Sequence, residues 1–210
     1  MKRFDLSLYP VLDPHLCAGI GMVKTALAAA SGGATIIQLR DKQAGTAGRV
    51  KTGRALKAAL AETGPLLIVN DAEAAIAIEA DGLHVGQNDM AARDARKQIG
   101  SSMILGLSVA TEELAAAVDP AIVDYAGIGP VFATSTKPDH KPPIGIDGVA
   151  RRARACGVPG VAIGGSKATH AEYVLAAGAK GLAVVSAICG TPDPRQAAAS
   201  ITDAIRKARA

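Results

Sequence analysis

Short apolar runs recur along the chain, and one after another gives way to polar residues at its C-terminal end. Ile36–Ile37 leads into Gln38-Leu39-Arg40-Asp41-Lys42, and Leu66–Val69 leads into Asn70-Asp71. Leu83-His84-Val85 is followed by Gly86-Gln87-Asn88-Asp89, and Ile104-Leu105-Gly106-Leu107 ends on Ser108. Tyr125–Phe132 precedes Thr134-Ser135-Thr136-Lys137, Val161–Ile163 precedes Gly164-Gly165, and Leu182–Val185 precedes Ser186. Parallel strands of one closed sheet would bring all these ends to a single rim. A rim that carries Arg40, Lys42, Lys137, Asp71, Asp89 and several hydroxyls is suited to phosphate and metal.

The runs predict strands at 6–12, 35–40, 65–70, 82–86, 103–108, 123–131, 160–164 and 181–186. They are rich in Val, Ile and Leu on both faces, as parallel strands covered by helices are. Ala-rich helical segments lie between them, among them Ala47–Glu62, Glu112–Val118, Asp147–Cys156, Lys167–Ala177 and Pro194–Ala208. Thr111-Glu112-Glu113 reads as a helix start; Gly64-Pro65, Gly157-Val158-Pro159 and Gly178 read as stops. Strand and helix thus alternate through the count of an α/β (β/α)8 TIM barrel, taken as one domain over residues 1–210. A doubly wound open sheet shares the alternation. It usually has a Gly-x-Gly-x-x-Gly turn after its first strand, where this chain has Asp13-Pro14-His15. The stretch from Phe132 to Gly145 breaks the rhythm, with Pro138, Pro142, Pro143, Lys137 and Lys141 in one long loop. Such loops in compact domains are usually functional.

Composition narrows the partners. Hydrophobic residues reach 49% and aromatics only 2%, so Ala, Val, Ile and Leu must make the core. The net charge of +4 comes from scattered basic residues with no Lys/Arg block, which argues against nucleic acid and for a small anionic substrate. Cys17, Cys156 and Cys189 are far apart and in no metal-type spacing, so they read as free thiols of a reducing, cytoplasmic setting. No apolar run approaches a membrane span or a signal-peptide core. Oligomeric state stays open, a homo-oligomer included.

Asp71 and Asp89 follow the third and fourth runs, which makes them neighbours on a barrel rim. Two carboxylates with no His or Cys cluster suit Mg²⁺, which completes its octahedron with water and substrate phosphate. Each could instead cap a helix, starting at Ala72 or Met90. Gln38, Arg40 and Lys42 alternate and would share a face if the strand continues through them. Buried there, they call for an anion; if the strand has already ended, they are solvated. Thr134-Ser135-Thr136-Lys137 supplies hydroxyls and an ammonium. Gly164-Gly165 and Ser186, after the seventh and eighth strands, lie where such barrels bind phosphate through backbone N–H groups. Lys42 and Lys137 raise a secondary, Schiff-base possibility. His84, inside a strand, reads as a hydrogen-bonded histidine of the core or just behind the site, and His15, His140 and His170 show no pairing with a Ser or Cys nucleophile.

Taken in order, these segments resemble the thiamine phosphate synthase family. The resemblance rests on Leu8-Tyr9-Pro10-Val11-Leu12-Asp13, Gln38-Leu39-Arg40-Asp41-Lys42, Ile68-Val69-Asn70-Asp71 and Asp81 through Asp89. It continues through Gly106-Leu107-Ser108, Gly129 through Lys137, Gly164-Gly165 and Val184-Val185-Ser186-Ala187-Ile188. It implies a (β/α)8 barrel that joins a hydroxymethylpyrimidine diphosphate to a thiazole phosphate with Mg²⁺ and releases pyrophosphate. Gln38, Arg40, Lys42, Asn70, Ser108 and Lys137 would then hold the pyrimidine diphosphate, and Asp71 and Asp89 the metal. Arg40, Lys42, Ser108 and Lys137 would serve catalysis. Thr134, Thr136, Gly165, Val185 and Ser186 would hold the thiazole phosphate. The chain departs from the family pattern at Ser166, where Ile is usual, and at His170, where Asn is usual. Alternatives are a thiazole tautomerase-like protein and a catalytically silent, ligand-sensing relative.

Overall fold

The computed structural model describes residues 4–134 and 141–210. Eight strands, β1 (Leu8–Leu12), β2 (Ile36–Leu39), β3 (Leu66–Val69), β4 (Gly82–Val85), β5 (Ile104–Val109), β6 (Tyr125–Ile128), β7 (Gly160–Ile163) and β8 (Leu182–Val184), form a closed barrel. Each strand pairs in parallel with the next, and β8 returns to β1. Among the described residues the intervening helices are α1 (Met22–Ser31), α2 (Thr46–Leu60), α3 (Ala72–Ala77), α4 (Ala92–Ile99), α5 (Glu112–Ala116), α6 (Gly145–Ala155), α7 (Ala171–Ala176) and α8 (Pro194–Arg209). The expected (β/α)8 barrel is therefore the observed one.

The strands are apolar on both faces because each face meets a different layer. Leu8, Leu12, Ile37, Leu39, Leu67 and Val69 pack outward against the helices, in one continuous core with Ala26, Ala29, Leu56 and Ala74. Residues of the other parity fill the barrel itself: Tyr9, Val11, Ile36, Ile68, Ile104, Tyr125, Val161 and Ala183. Continuing that inward parity towards the strand ends gives Gln38, Asn70, His84 and Ser108. The interior is thus mostly apolar low down, where the Tyr9 and Tyr125 hydroxyls pair with each other, and polar at the top.

Some boundaries differ from the sequence expectation. β2 stops at Leu39, which leaves Arg40 and Lys42 in the following loop, with Lys42 exposed. β6 ends at Ile128, well before Val131. The expected helix 167–177 opens instead as one 3-10 turn, Ala168–His170, before α7. α4 begins at Ala92 rather than Met90, because Asp89 spends its carboxylate elsewhere. None of the described helices is long and apolar enough to cross a membrane.

Candidate active site

Each rim residue is set by the end of a strand or the start of a helix. Gln38 is the next inward position after Ile36 and is buried to 5% exposure. Asn70 follows β3, and its Oδ1 is a buried acceptor with no hydrogen-bond partner among the described residues. Burying an amide oxygen unpaired is costly, so such an atom points to a missing donor. Asp71 caps α3: its Oδ1 accepts from the Ala74 N–H at 2.8 Å, while Oδ2 pairs with Arg49 Nη1 at 2.8 Å. The capping alternative is thus realised for Asp71. It does not bar a metal, since each carboxylate oxygen has a further lone pair.

Asp89 behaves differently. It caps no helix; its Oδ2 turns back to accept from the Gly86 N–H at 2.7 Å, closing the loop after β4. Its side chain is on an exposed residue. Among the described residues no cluster of three or more His, Cys, Asp or Glu gathers in metal-binding fashion. The oxygen donors at the ends of β3 and β4 still fit Mg²⁺, which needs only one or two carboxylates when phosphate and water complete its shell.

His84 and Ser108 meet across the interior. His84 Nε2 lies 2.9 Å from Ser108 Oγ, and His84 Nδ1 lies 3.0 Å from the Tyr125 hydroxyl. That hydroxyl in turn lies 2.7 Å from the hydroxyl of Tyr9. Burial pushes the His84 pKa down to about 4, with Arg40 lowering it further and Asp89 opposing, so the ring is neutral near pH 7. Burial likewise raises both tyrosines well above their ordinary value. The Gln87 side-chain amide donates to the Ser108 carbonyl and ties the β4 loop to the end of β5.

On the opposite side of the rim, Gly164 and Gly165 adopt φ of 101° and 65°, in the left-handed region open to glycine. A Cβ on Gly165 would sit 2.5 Å from the Ala133 carbonyl oxygen, so only glycine lets the two loops meet. Phe132 N–H donates to the Gly164 carbonyl at 2.9 Å, which holds the Thr134 loop beside the glycine pair. Val185 is partly exposed and Ser186 exposed just past β8, in a turn where Val185 accepts from the Ile188 and Cys189 N–H groups. Thr136 and Lys137 lie outside the described residues.

The two departures from the family pattern have different surroundings. Ser166 is 5% exposed and its Oγ has no hydrogen-bond partner among the described residues. His170 Nδ1 accepts from the Lys167 N–H at 3.1 Å, and its ring lies against Phe132 with centroids 4.0 Å apart.

Arg49 is a residue that sequence reasoning missed. From α2 it donates through Nε to the Asp41 carbonyl at 2.7 Å and through Nη1 to Asp71. It thereby joins the loop bearing Arg40 and Lys42 to the loop bearing the first carboxylate. No spacing pattern announces such a contact, which depends on where α2 lies over the rim.

The closed barrel, with Gln38, Asn70, Asp71, Ser108 and a double-glycine loop at the C-terminal ends of its strands, belongs to the TIM-barrel class. The thiamine monophosphate synthase family profile matches residues 8–188, and the chain belongs to that family and is a transferase. It is 48% identical over 99% of both chains to a thiamine-phosphate synthase of Xanthobacter autotrophicus. It is 44% identical over 92% of both to the Psychrobacter enzyme of the same name. Among solved structures, thiamine phosphate pyrophosphorylase from Pyrococcus furiosus superposes with a TM-score of 0.87 at 32% identity, over 98% of each chain.

Proposed function

We propose that this chain condenses 4-amino-5-hydroxymethyl-2-methylpyrimidine diphosphate with 4-methyl-5-(2-phosphoethyl)thiazole to give thiamine phosphate and pyrophosphate. Family membership supports the activity. The observation that carries the site assignment is the buried Asn70 Oδ1, unpaired among the described residues, at the same end of the barrel as Gln38 and Ser108. An acceptor of that kind fits a ring-borne donor such as the exocyclic amino group of the pyrimidine.

The chemistry asks the protein for charge and position rather than for a nucleophile. As the carbon–oxygen bond to the diphosphate breaks, the electron-rich aminopyrimidine carries the positive charge on its exocyclic methylene carbon. The thiazole nitrogen then supplies the electron pair of the new carbon–nitrogen bond. Arg40, Lys42 and Lys137 offset the charge that grows on the departing pyrophosphate, and Ser108 donates to it. Asp71 and Asp89 would hold Mg²⁺, which supplies further positive charge to the diphosphate oxygens when bound. Thr134, Thr136, the Gly165 backbone and the Val185-Ser186 turn hold the thiazole phosphate, so that its ring nitrogen faces the methylene carbon. The partners are thus small phosphorylated molecules.

The test is pyrophosphate release measured with both substrates together, with and without Mg²⁺. Release that needs both substrates and the metal supports the reading. Binding of thiamine phosphate with no turnover would instead mark a ligand sensor.

A further inference from the structure

The polar chain inside the barrel is longer than charge neutralisation at the rim requires. From bottom to top it runs Tyr9 hydroxyl, Tyr125 hydroxyl, His84 Nδ1, His84 Nε2 and Ser108 Oγ, in three contacts of 2.7, 3.0 and 2.9 Å. The barrel makes room for it with missing side chains. A Cβ on Gly106 would lie 2.2 Å from Tyr125 Cζ and 2.5 Å from His84 Nδ1, and one on Gly127 would lie 3.2 Å from His84 Cε1. Strand glycines mark such close approach.

Proton counting gives this chain a direction. Each hydroxyl carries one proton, and a neutral imidazole carries one N–H and one acceptor nitrogen. Protons can therefore all point up towards Ser108, or all point down towards Tyr9. Pointing down leaves the Tyr9 proton without an acceptor, because Tyr9 is 1% exposed and among the described residues its hydroxyl meets only Tyr125. A buried, unsatisfied O–H is expensive. Pointing up satisfies every interior donor and delivers the leftover proton to the rim, where substrate or water can accept it.

We propose that Tyr9, Tyr125 and His84 form a one-way hydrogen-bond relay that holds His84 as its Nε2–H tautomer and leaves the Ser108 hydroxyl free to donate into the site. Tyr9 donates to Tyr125, Tyr125 donates to Nδ1, and Nε2–H donates to Ser108 Oγ. Both lone-pair demands and the tautomer are then set before substrate arrives. His84 and Tyr125 are positioning residues, and no proton crosses the relay during turnover. The low His84 pKa agrees, since a protonated ring would donate at both nitrogens and reverse the Tyr125 contact. This inference rests on the preceding subsection for one point, that the diphosphate sits over Ser108.

The decisive measurement does not use activity. Imidazole nitrogen NMR on the free, unaltered enzyme near pH 7 should show His84 protonated at Nε2 and bare at Nδ1. A bare Nε2 with a protonated Nδ1 overturns the relay. Tyr125→Phe should loosen the preference and bring in the second tautomer; an unchanged Nε2–H signal there would deny Tyr125 its part.

Kinetics then test the link to Ser108. His84→Gln keeps an amide donor near the Nε2 position, whereas His84→Asn reaches only towards Tyr125. The Gln variant should keep kcat about tenfold above the Asn variant, the worth of one hydrogen bond to a charged complex, with KM for either substrate little changed. In a Ser108→Ala background the Gln and Asn variants should become equal. Equal losses in the presence of Ser108 would reduce His84 to packing. If the unaltered enzyme released no pyrophosphate, the functional reading would fall, while the NMR result would still decide the relay.

Discussion

The two ends of this barrel use polar side chains in opposite ways. At the N-terminal end, Asp81 precedes β4 and accepts from the Leu67 N–H at 2.7 Å, stitching it to the start of β3. Asp124 precedes β6 and does the same for β5 through the Leu105 N–H at 2.8 Å, while pairing with Arg96 Nη2 at 2.6 Å. Thr35, before β2, accepts from the Leu8 N–H and donates to the Leu8 carbonyl. Arg209 closes the ring with a 2.7 Å bond to Ser7 Oγ. Each of these groups is used up in holding strands together. At the C-terminal end Asn70 Oδ1 and Ser166 Oγ are buried without partners among the described residues, and Arg40 and Lys42 stand beyond the last strand hydrogen bonds. One end has spent its polar groups on the fold, and the other leaves some of them uncommitted, as the proposed ligand site would require.

The largest effect should come from the rim carboxylates. Asp89→Ala, and Asp71→Asn, which keeps an oxygen for the α3 cap, should each cut turnover roughly 100-fold or more, as loss of a preorganised charge partner does. Lys137→Ala should act on the same scale in single-turnover kinetics, with substrate binding weakened less because Arg40 and Lys42 remain. Near-normal turnover in both Asp variants would mean that these carboxylates only brace loops, and the contrast between the ends would lose its functional half.

The opposite end should answer in stability alone. Asp124→Ala frees the Leu105 N–H and takes from the mostly buried Arg96 its carboxylate partner, leaving it only its carbonyl contacts to Ile122, Gly100 and Met103. The expected cost is about 1–3 kcal/mol by denaturant unfolding, with kcat unaltered. A fall in kcat at full folding would show that the two ends are not separable.

A pH series sharpens the comparison through His84. Its folded pKa, about 4, lies below the ordinary 6.5, so the unfolded chain binds more protons between those values. The stability tied to its neutral ring is complete above pH 6.5 and is lost as pH falls towards 4. The full shift corresponds to about 3 kcal/mol as an upper bound. His84→Gln should flatten that part of the acid limb relative to the unaltered protein, whereas an identical acid limb would place the ring in contact with solvent.

Much of this contrast could be read from the chain, since apolar runs with polar C-terminal ends are what parallel strands with a working rim require. Alternation was legible only at Gln38, Arg40 and Lys42; the observed strands add the inward rows from Ile36 to Gln38, Ile68 to Asn70 and Ile104 through Gly106 to Ser108. Local competition was harder to foresee. Asp89 looked able to cap a helix at Met90, but the nearer Gly86 N–H takes its carboxylate and α4 starts later. Arg40 and Lys42 continued the alternation of Gln38, yet pairing with β1 and β3 stops at Leu39. The links made by His84 and Arg49 were out of reach for a stronger reason. They depend on cross-strand register, His84 beside Gly106 and Gly106 beside Tyr125, and on the seat of α2 over the rim. No periodicity within one segment encodes either.

The smallest expected effect separates two residues on the same rim, one after β3 and one after β5. Thr111 ends its strand-to-helix turn as a cap, its Oγ1 accepting from the Leu114 N–H at 3.2 Å. Asn70 ends its own turn with Oδ1 facing no donor among the described residues. Thr111→Ala should cost about 1 kcal/mol of stability, the usual worth of a cap, and leave pyrophosphate release as it was. Asn70→Ala should do the reverse, since removing an unpaired buried acceptor relieves rather than adds a desolvation cost. Its unfolding midpoint should stay within error of the unaltered protein or rise slightly, while KM for the pyrimidine diphosphate rises. Paired denaturant titrations and initial-rate kinetics on the two variants would measure both quantities. Should Asn70→Ala destabilise as much as Thr111→Ala with no change in KM, then Asn70 belongs to the fold, and the acceptor held in reserve for a substrate donor is not there.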